Sequence, residues 1–130
     1  MQVGVLVLDS GGLGHLAARS SEAAALIRSL RREDLWPPVI PTMILIESLQ
    51  GRTGWDAPLN QFIGTCLIED SVPVTLARRA AQLRRRSRKG SAVDALVVAL
   101  AEPNGVVLTG DAGDLQALAA QTKQVIVIGV

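Results

Sequence analysis

A chain of 130 residues, 48% hydrophobic and 19% charged, is long enough for one domain with a sizeable core and too apolar to stay disordered. A net charge of +1 gives no bulk attraction to nucleic acid, and the lone cysteine, Cys66, excludes a disulfide framework and a cysteine-based metal site. A single histidine, His15, argues against a Ser-His-Asp or Cys-His constellation, and 2% aromatic content disfavours modules that stack bases on an aromatic sheet.

The chain starts without a basic n-region, and its first apolar run meets Asp9 too soon for a signal peptide or a membrane span; a cytoplasmic protein with no membrane partner is expected. That run, residues 3 to 8, suits a strand covered on both faces. The Ser10-Gly11-Gly12-Leu13-Gly14 stretch behind Asp9 matches neither the dinucleotide fingerprint nor a Walker sequence, and its bland reading is a turn. His15 reads as structural or surface. Residues 21 to 33 form an amphipathic helix with Ser20 or Ser21 as N-cap, stopped by Trp36-Pro37-Pro38. Val39-Ile40 is a brief strand, and Thr42 caps a helix that Gly51 ends, with Glu47 inside it. Residues 56 to 65 make a helix capped by Asp56, and Leu67-Ile68 a short strand. Pro73 opens a longer helix in which Leu76, Ala80 and Leu83 turn inward while Arg78, Arg79, Arg85 and Arg86 turn outward. Lys89-Gly90 ends it and Ser91 begins an apolar helix to residue 101. A turn at Asn104-Gly105, a strand over 106 to 108, a helix over 112 to 120 and a strand over 125 to 128 complete the chain. Strands alternating with helices predict a single α/β domain over 1–130, with a central, mostly parallel sheet wrapped by helices.

Four acids stand isolated in otherwise apolar stretches, Asp9, Glu47, Asp94 and Asp111. Sites in open parallel sheets lie beyond the carboxyl ends of the strands, so Asp9 and Asp111, which follow two of the strands, can share one rim. Glu47 and Asp94 are the sole acids of two apolar helices that could cover that rim. Each acid also has a structural reading: Ser91 with Asp94 fits a capping box, Asp111 with Asp114 an N-cap and an acidic third position, and Asp9 a turn. Glu47 has no such excuse. Carboxylates roughly 5 Å apart at an effective dielectric of about 20 repel by on the order of 3 kcal/mol per pair, so four together need a cation or protons. All-oxygen ligation selects Mg²⁺ or Mn²⁺ over Zn²⁺, and such an ion suits phosphodiester hydrolysis without a protein nucleophile. Arg78, Arg79, Arg85 and Arg86 belong to a run of seven basic residues between Arg78 and Lys89, equally readable as a solvated face or as an RNA-backbone contact.

Four stretches in register, Val-Leu-Asp-Ser, Pro-Thr-Met-Ile-Leu-Ile-Glu-Ser-Leu-Gln-Gly, Ser-Ala-Val-Asp-Ala-Leu-Val-Val-Ala-Leu-Ala and Leu-Thr-Gly-Asp-Ala-Gly-Asp-Leu, resemble the PIN-domain ribonucleases, especially VapC-type toxins of bacterial toxin-antitoxin pairs. The resemblance spans essentially the whole chain. It implies a three-layer α/β/α fold and a Mg²⁺- or Mn²⁺-dependent endoribonuclease acting on RNA. By position Asp9, Glu47, Asp94 and Asp111 match the acidic quartet, with Asp114 a further candidate metal ligand. Asp9 and Asp94 would be direct ligands, Thr109 would support the site through its hydroxyl, and Ser10 would orient Asp9. A homodimer and a cognate VapB-type antitoxin are also implied. The glycine-rich run after Asp9 departs from the pattern and leaves the start of the next helix open. Two other readings compete: a catalytically silent RNA- or partner-binding scaffold of the same fold, and a DNA-directed nuclease of related fold.

Overall fold

The structure is a computed structural model that describes residues 4–130. Five strands, β1 (Leu6–Leu8), β2 (Val39–Pro41), β3 (Leu67–Glu69), β4 (Val106–Thr109) and β5 (Ile126–Gly129), form one sheet in the order β3-β2-β1-β4-β5 with every pairing parallel. Seven helices connect them: α1 (Ser10–Ala17), α2 (Ser21–Arg32), α3 (Thr42–Ser48), α4 (Thr53–Ile63), α5 (Val74–Ser87), α6 (Ala92–Ala101) and α7 (Ala112–Ala119). The expected α/β/α architecture is therefore the observed one.

The order dictates the layers. The chain steps outward from β1 to β2 to β3, then returns past β1 to β4 and β5. Right-handed crossovers put connections that travel in opposite directions on opposite faces. Accordingly α1 packs with α2, α3 and α4, whereas α5, α6 and α7 pack on one another. Central position explains composition: β1, flanked on both sides and covered on both faces, is buried throughout, while the edge strand β3 leaves Leu67 and Ile68 exposed. Helix α6 lies between the sheet and its neighbour helices, so Ala95 to Ala99 are all buried and the helix can be apolar nearly all round.

Several boundaries differ from the sequence reading. No turn separates Asp9 from a later helix, because α1 begins at Ser10 with Asp9 as its N-cap. The first strand covers Leu6–Leu8, and Val3 lies outside the described residues. Helix α3 is capped by Pro41, without a side-chain bond, and ends at Ser48, short of Gly51. Helix α4 starts at Thr53, so Asp56 stands in its first turn instead of capping it.

Helices α5 and α6 form an antiparallel pair tied near both ends. Arg84 Nε donates to the Gly90 carbonyl at 3.1 Å beside the connecting turn. At the other end Arg79 grips Glu102 through Nε at 2.7 Å and a terminal nitrogen at 2.8 Å, and the Lys123 N–H adds a bond to the same carboxylate. Hydrogen bonds from Arg79, opposed by partial burial and aided by Lys123, hold Glu102 below the usual glutamate range. A carboxyl whose folded value is lowered contributes fully above its unfolded value of about 4.3 and loses that contribution as pH falls through the folded value. Glu102→Gln is therefore expected to cost about 1 kcal/mol at neutral pH and nothing once both forms are protonated. Urea titrations at several pH values below neutrality check this; a pH-independent difference contradicts it.

Candidate active site

The site is assembled where the direction of travel across the sheet reverses, between β1 and β4, which is where an open parallel sheet leaves a crevice beyond its strand ends. Asp9 follows β1 with extended backbone, and its N–H continues the ladder to the Leu108 carbonyl at 3.3 Å. Its carbonyl accepts the first helical bond of α1 from Leu13 at 2.9 Å, and its Oδ1 accepts from the Gly12 N–H at 2.8 Å, so the side chain caps the helix that starts beside it. Its Oδ2 accepts from the hydroxyl of Thr109, the last residue of β4 and fully buried. The same hydroxyl accepts the Asp111 N–H at 2.9 Å and lies 3.1 Å from the Asp111 carbonyl. One buried hydroxyl thus joins the residue ending β1 to the residue following β4.

Asp111 is the N-cap of α7, with Oδ1 accepting from Gly113 N–H at 3.4 Å, a long bond that leaves the exposed carboxylate largely available. Asp94 sits at the third position of α6 in a complete capping box: Ser91 N–H donates to Oδ2 at 3.0 Å, and the Ser91 hydroxyl accepts the Asp94 N–H at 3.1 Å. Its structural reading is correct, and Oδ1 takes no hydrogen bond among the described residues. Glu47 is the penultimate residue of α3 and exposed, and Asp114 is exposed in the first turn of α7. Ser10, expected to orient Asp9, makes no hydrogen bond to it among the described residues; Gly12 and Thr109 do so instead, because the hydroxyl needed on the far side of the carboxylate comes from the neighbouring strand.

The structure brings Asp9, Thr109 and Asp111 together. Among the described residues no group of three or more His, Cys, Asp or Glu side chains is placed to hold a metal ion, so Glu47, Asp94 and Asp114 do not complete a ligand cluster as the side chains stand. By donor type the pair fits Mg²⁺ or Mn²⁺: both offer hard oxygens, and Mg²⁺ is commonly held through one or two carboxylates while keeping several of its waters. A cavity of about 350 Å³ between α3, α5 and α6 is lined almost wholly by apolar side chains such as Met43, Val72, Ala80, Val93 and Leu96, and includes none of these acids.

Arg78, Arg85 and Arg86 are exposed as expected, but Arg79 is half-buried and committed to Glu102, because the end of α6 places a carboxylate beside it. It contributes little free charge to a backbone contact.

Asp56 is the acid whose role the sequence hid. It is 6% exposed, and its carboxylate accepts from the backbone N–H groups of Gln50 at 2.9 Å, Gly51 at 2.9 Å and Arg52 at 3.2 Å. Three donors neutralise the cost of burying it and pin the loop between α3 and α4. The only signal was an acid in the first turn of a helix preceded by Gly51, which reads equally well as an ordinary cap. Asp56→Ala is expected to cost about 2 kcal/mol, since three N–H groups lose a charged acceptor and regain only water. Asp56→Asn, keeping one acceptor, should cost less; equal losses in urea unfolding would contradict this account.

No protein-family model matches the chain, and no curated protein matches it significantly. Among solved structures it is similar to the crystal structure of PAE2754 from Pyrobaculum aerophilum, at 22% identity over 98% of this chain and 92% of that chain, with a TM-score of 0.61. That likeness extends over nearly the whole length of both chains and establishes a shared α/β fold.

Proposed function

We propose that this protein is a Mg²⁺- or Mn²⁺-dependent endoribonuclease that acts as the toxin of a toxin-antitoxin pair. The observation that carries the reading is the buried Thr109 hydroxyl at the β1/β4 crevice, which donates to the Asp9 carboxylate and accepts the backbone N–H of Asp111, so that the acid ending β1 and the acid following β4 are tied to one point of the rim. A divalent ion bound there would polarise a phosphoryl oxygen, activate water and stabilise the leaving oxygen. Asp9 is the fixed member: two donors hold its oxygens, and a carboxylate with about four lone-pair positions keeps others for a ligand. Asp111 is the adjustable member, bound weakly to its own helix and open to solvent. By the sequence resemblance Asp94 would be a further direct ligand, Glu47 would bind a second ion or position the attacking water, and Asp114 would be an additional ligand, although among the described residues none of them stands with Asp9 and Asp111 in a group placed to hold an ion. Arg78, Arg85 and Arg86 supply an exposed basic face for the RNA backbone. A VapB-type antitoxin and a homodimeric state complete the proposal on the strength of the sequence resemblance, and a cytoplasmic location on the character of the first apolar run.

The test is incubation of the purified chain with single-stranded RNA, and with DNA of the same sequence, in Mg²⁺ or Mn²⁺. RNA-only cleavage that stops on chelation supports the reading. RNA left intact, or cut equally in chelator, overturns it. The Asp94 capping box favours the second reading, a silent scaffold, because it gives that acid a structural occupation. Calorimetry showing no heat of Mn²⁺ binding would select the scaffold.

A further inference from the structure

Apolar exposure is concentrated at the β3 edge of the molecule. Of nine large apolar side chains that are exposed among the described residues, five, Ile46, Leu67, Ile68, Val72 and Val74, lie on α3, on β3 or on the segment leading into α5. The cavity of about 350 Å³ joins them into one face, since Met43 of α3, Val72, and Ala77 and Ala81 of α5 all line it. Ile46 follows Met43 by three residues and shares its side of α3. On α5, Val74, Ala77, Ala81 and Arg84 recur at spacings of three and four, the seam along which two helices pack, and the small side chains at its centre let a second backbone come close. Charge is sorted along the same helix. Asp70 precedes its start, while Arg84, Arg85 and Arg88 gather at its end. Among the described residues the side chains of Asp70, Arg85 and Arg88 take no hydrogen bond or ion pair, and Arg84 spends only Nε, on the Gly90 carbonyl.

We infer that this face pairs with the same face of a second copy about a two-fold axis crossing α5 between Ala77 and Ala81, so that the two α5 helices run antiparallel. A two-fold contact must be complementary to itself. The order along α5, acid then apolar seam then arginines, meets that condition only in the antiparallel sense. It sets Ala77 of each copy against Ala81 of the other, brings Val74 over the other copy's cavity and carries Asp70 toward the other copy's Arg88. A parallel pairing would stack arginine on arginine. Other occupants leave part of the face unexplained: RNA offers no apolar surface for Val72 and Val74 and is repelled by Asp70, and a small apolar ligand would fill the cavity while Ile46, Leu67 and Val74 stayed exposed. An unrelated protein has no reason to present the order of α5 reversed, whereas a second copy does so by symmetry. This deepens the homodimer of the proposed function, rests on that part of it alone and stands apart from the cleavage chemistry.

The experiment is sedimentation equilibrium of the full chain over a concentration series, with far-UV circular dichroism to confirm that each variant is folded. The parent is expected to be a dimer. Ala81→Arg, which sets a long cation into the small-residue seam, should raise the dissociation constant roughly 100-fold, and Val74→Asp roughly tenfold. Both positions are exposed, so the fold should survive either change. Asp70→Arg should weaken the dimer roughly tenfold, and adding Arg88→Asp should restore it, because the reversed charges meet again across the axis. Ile126→Asp, on the edge strand at the far side of the sheet, should leave the dimer as it is. A dimer indifferent to Ala81→Arg and Val74→Asp, or one lost equally with Ile126→Asp, overturns this face while leaving a homodimer in place. A double variant no tighter than Asp70→Arg alone overturns the antiparallel arrangement. A monomeric parent removes both the face and the homodimer, and RNA cleavage by that monomer would leave the nuclease reading untouched.

Discussion

Asp9→Asn is expected to lower metal-dependent RNA cleavage roughly 1,000-fold while leaving the folded state almost as stable as the parent, a separation that few other positions can provide. The rate estimate follows from losing about 4 kcal/mol of charge stabilisation at the reacting phosphate when the anionic member of the pair becomes neutral. The stability estimate follows from the hydrogen bonds. The amide oxygen of the substituted side chain can still accept from Gly12 N–H and cap α1, since Asn is as good an N-cap as Asp. Its NH₂ then faces Thr109, which has donated to Oδ2 until now. A hydroxyl has one donor and two acceptor positions, so Thr109 can turn its hydrogen to the Asp111 carbonyl, 3.1 Å away, and accept from both the new amide and the Asp111 N–H. Every group keeps a partner. Initial rates in Mg²⁺ beside urea unfolding of the same two proteins check the prediction. A cut rate within tenfold of the parent removes Asp9 from the reaction, and a large loss of stability would show that the hydroxyl cannot reverse its role.

Much of this architecture was written in local patterns. Continuous apolar runs bounded by turn residues located all five strands, and Ser20, Ser91 and Asp111 cap the helices that their types and spacing suggested. The capping box of α6 was legible because it lies within four consecutive residues. What escaped were features created by approach across the fold. Ser10 stands next to Asp9 in sequence and does not orient it; that part falls to Thr109, a hundred residues away, which the resemblance marked as a supporting hydroxyl without saying what it would hold, because parallel pairing of β1 with β4 lays the two strand ends side by side. Arg79 looked like its neighbours on α5 and is distinguished only by Glu102, which the antiparallel return of α6 carries to it. Asp56 looked like a helix cap, and its service to the preceding loop depends on that loop folding back over it. Glu47, the acid without a structural excuse in the sequence, still has none, for it is exposed and makes no hydrogen bond or ion pair among the described residues.

The glycine-rich run after Asp9 yields the second large effect, and one with an inverted sign. Within a helix, replacing glycine by alanine ordinarily stabilises by up to about 1 kcal/mol. Gly14→Ala should follow that rule, because a Cβ there meets nothing within 4 Å. Gly12→Ala, two residues earlier on α1, should instead cost about 3 kcal/mol or more. Its Cβ would stand 2.1 Å from the Leu108 carbonyl oxygen and 2.7 Å from the carbonyl carbon, backbone atoms of the buried strand β4 that cannot yield as a side-chain tip would. Gly11 meets the same limit against the Gly110 N at 2.5 Å, so the first turn of α1 lies flush on the end of β4 only because both residues lack side chains. That close approach is what brings Asp9, fixed to α1 through Gly12, within reach of Thr109, fixed in β4. If Gly12→Ala survives as a folded protein, α1 must lift from the strand, and cleavage should fall with stability, whereas Gly14→Ala should keep its rate. Urea unfolding and initial rates on the two variants give the answer: matching stabilities would mean that the helix can slide without cost, and would detach the glycines from the construction of the site.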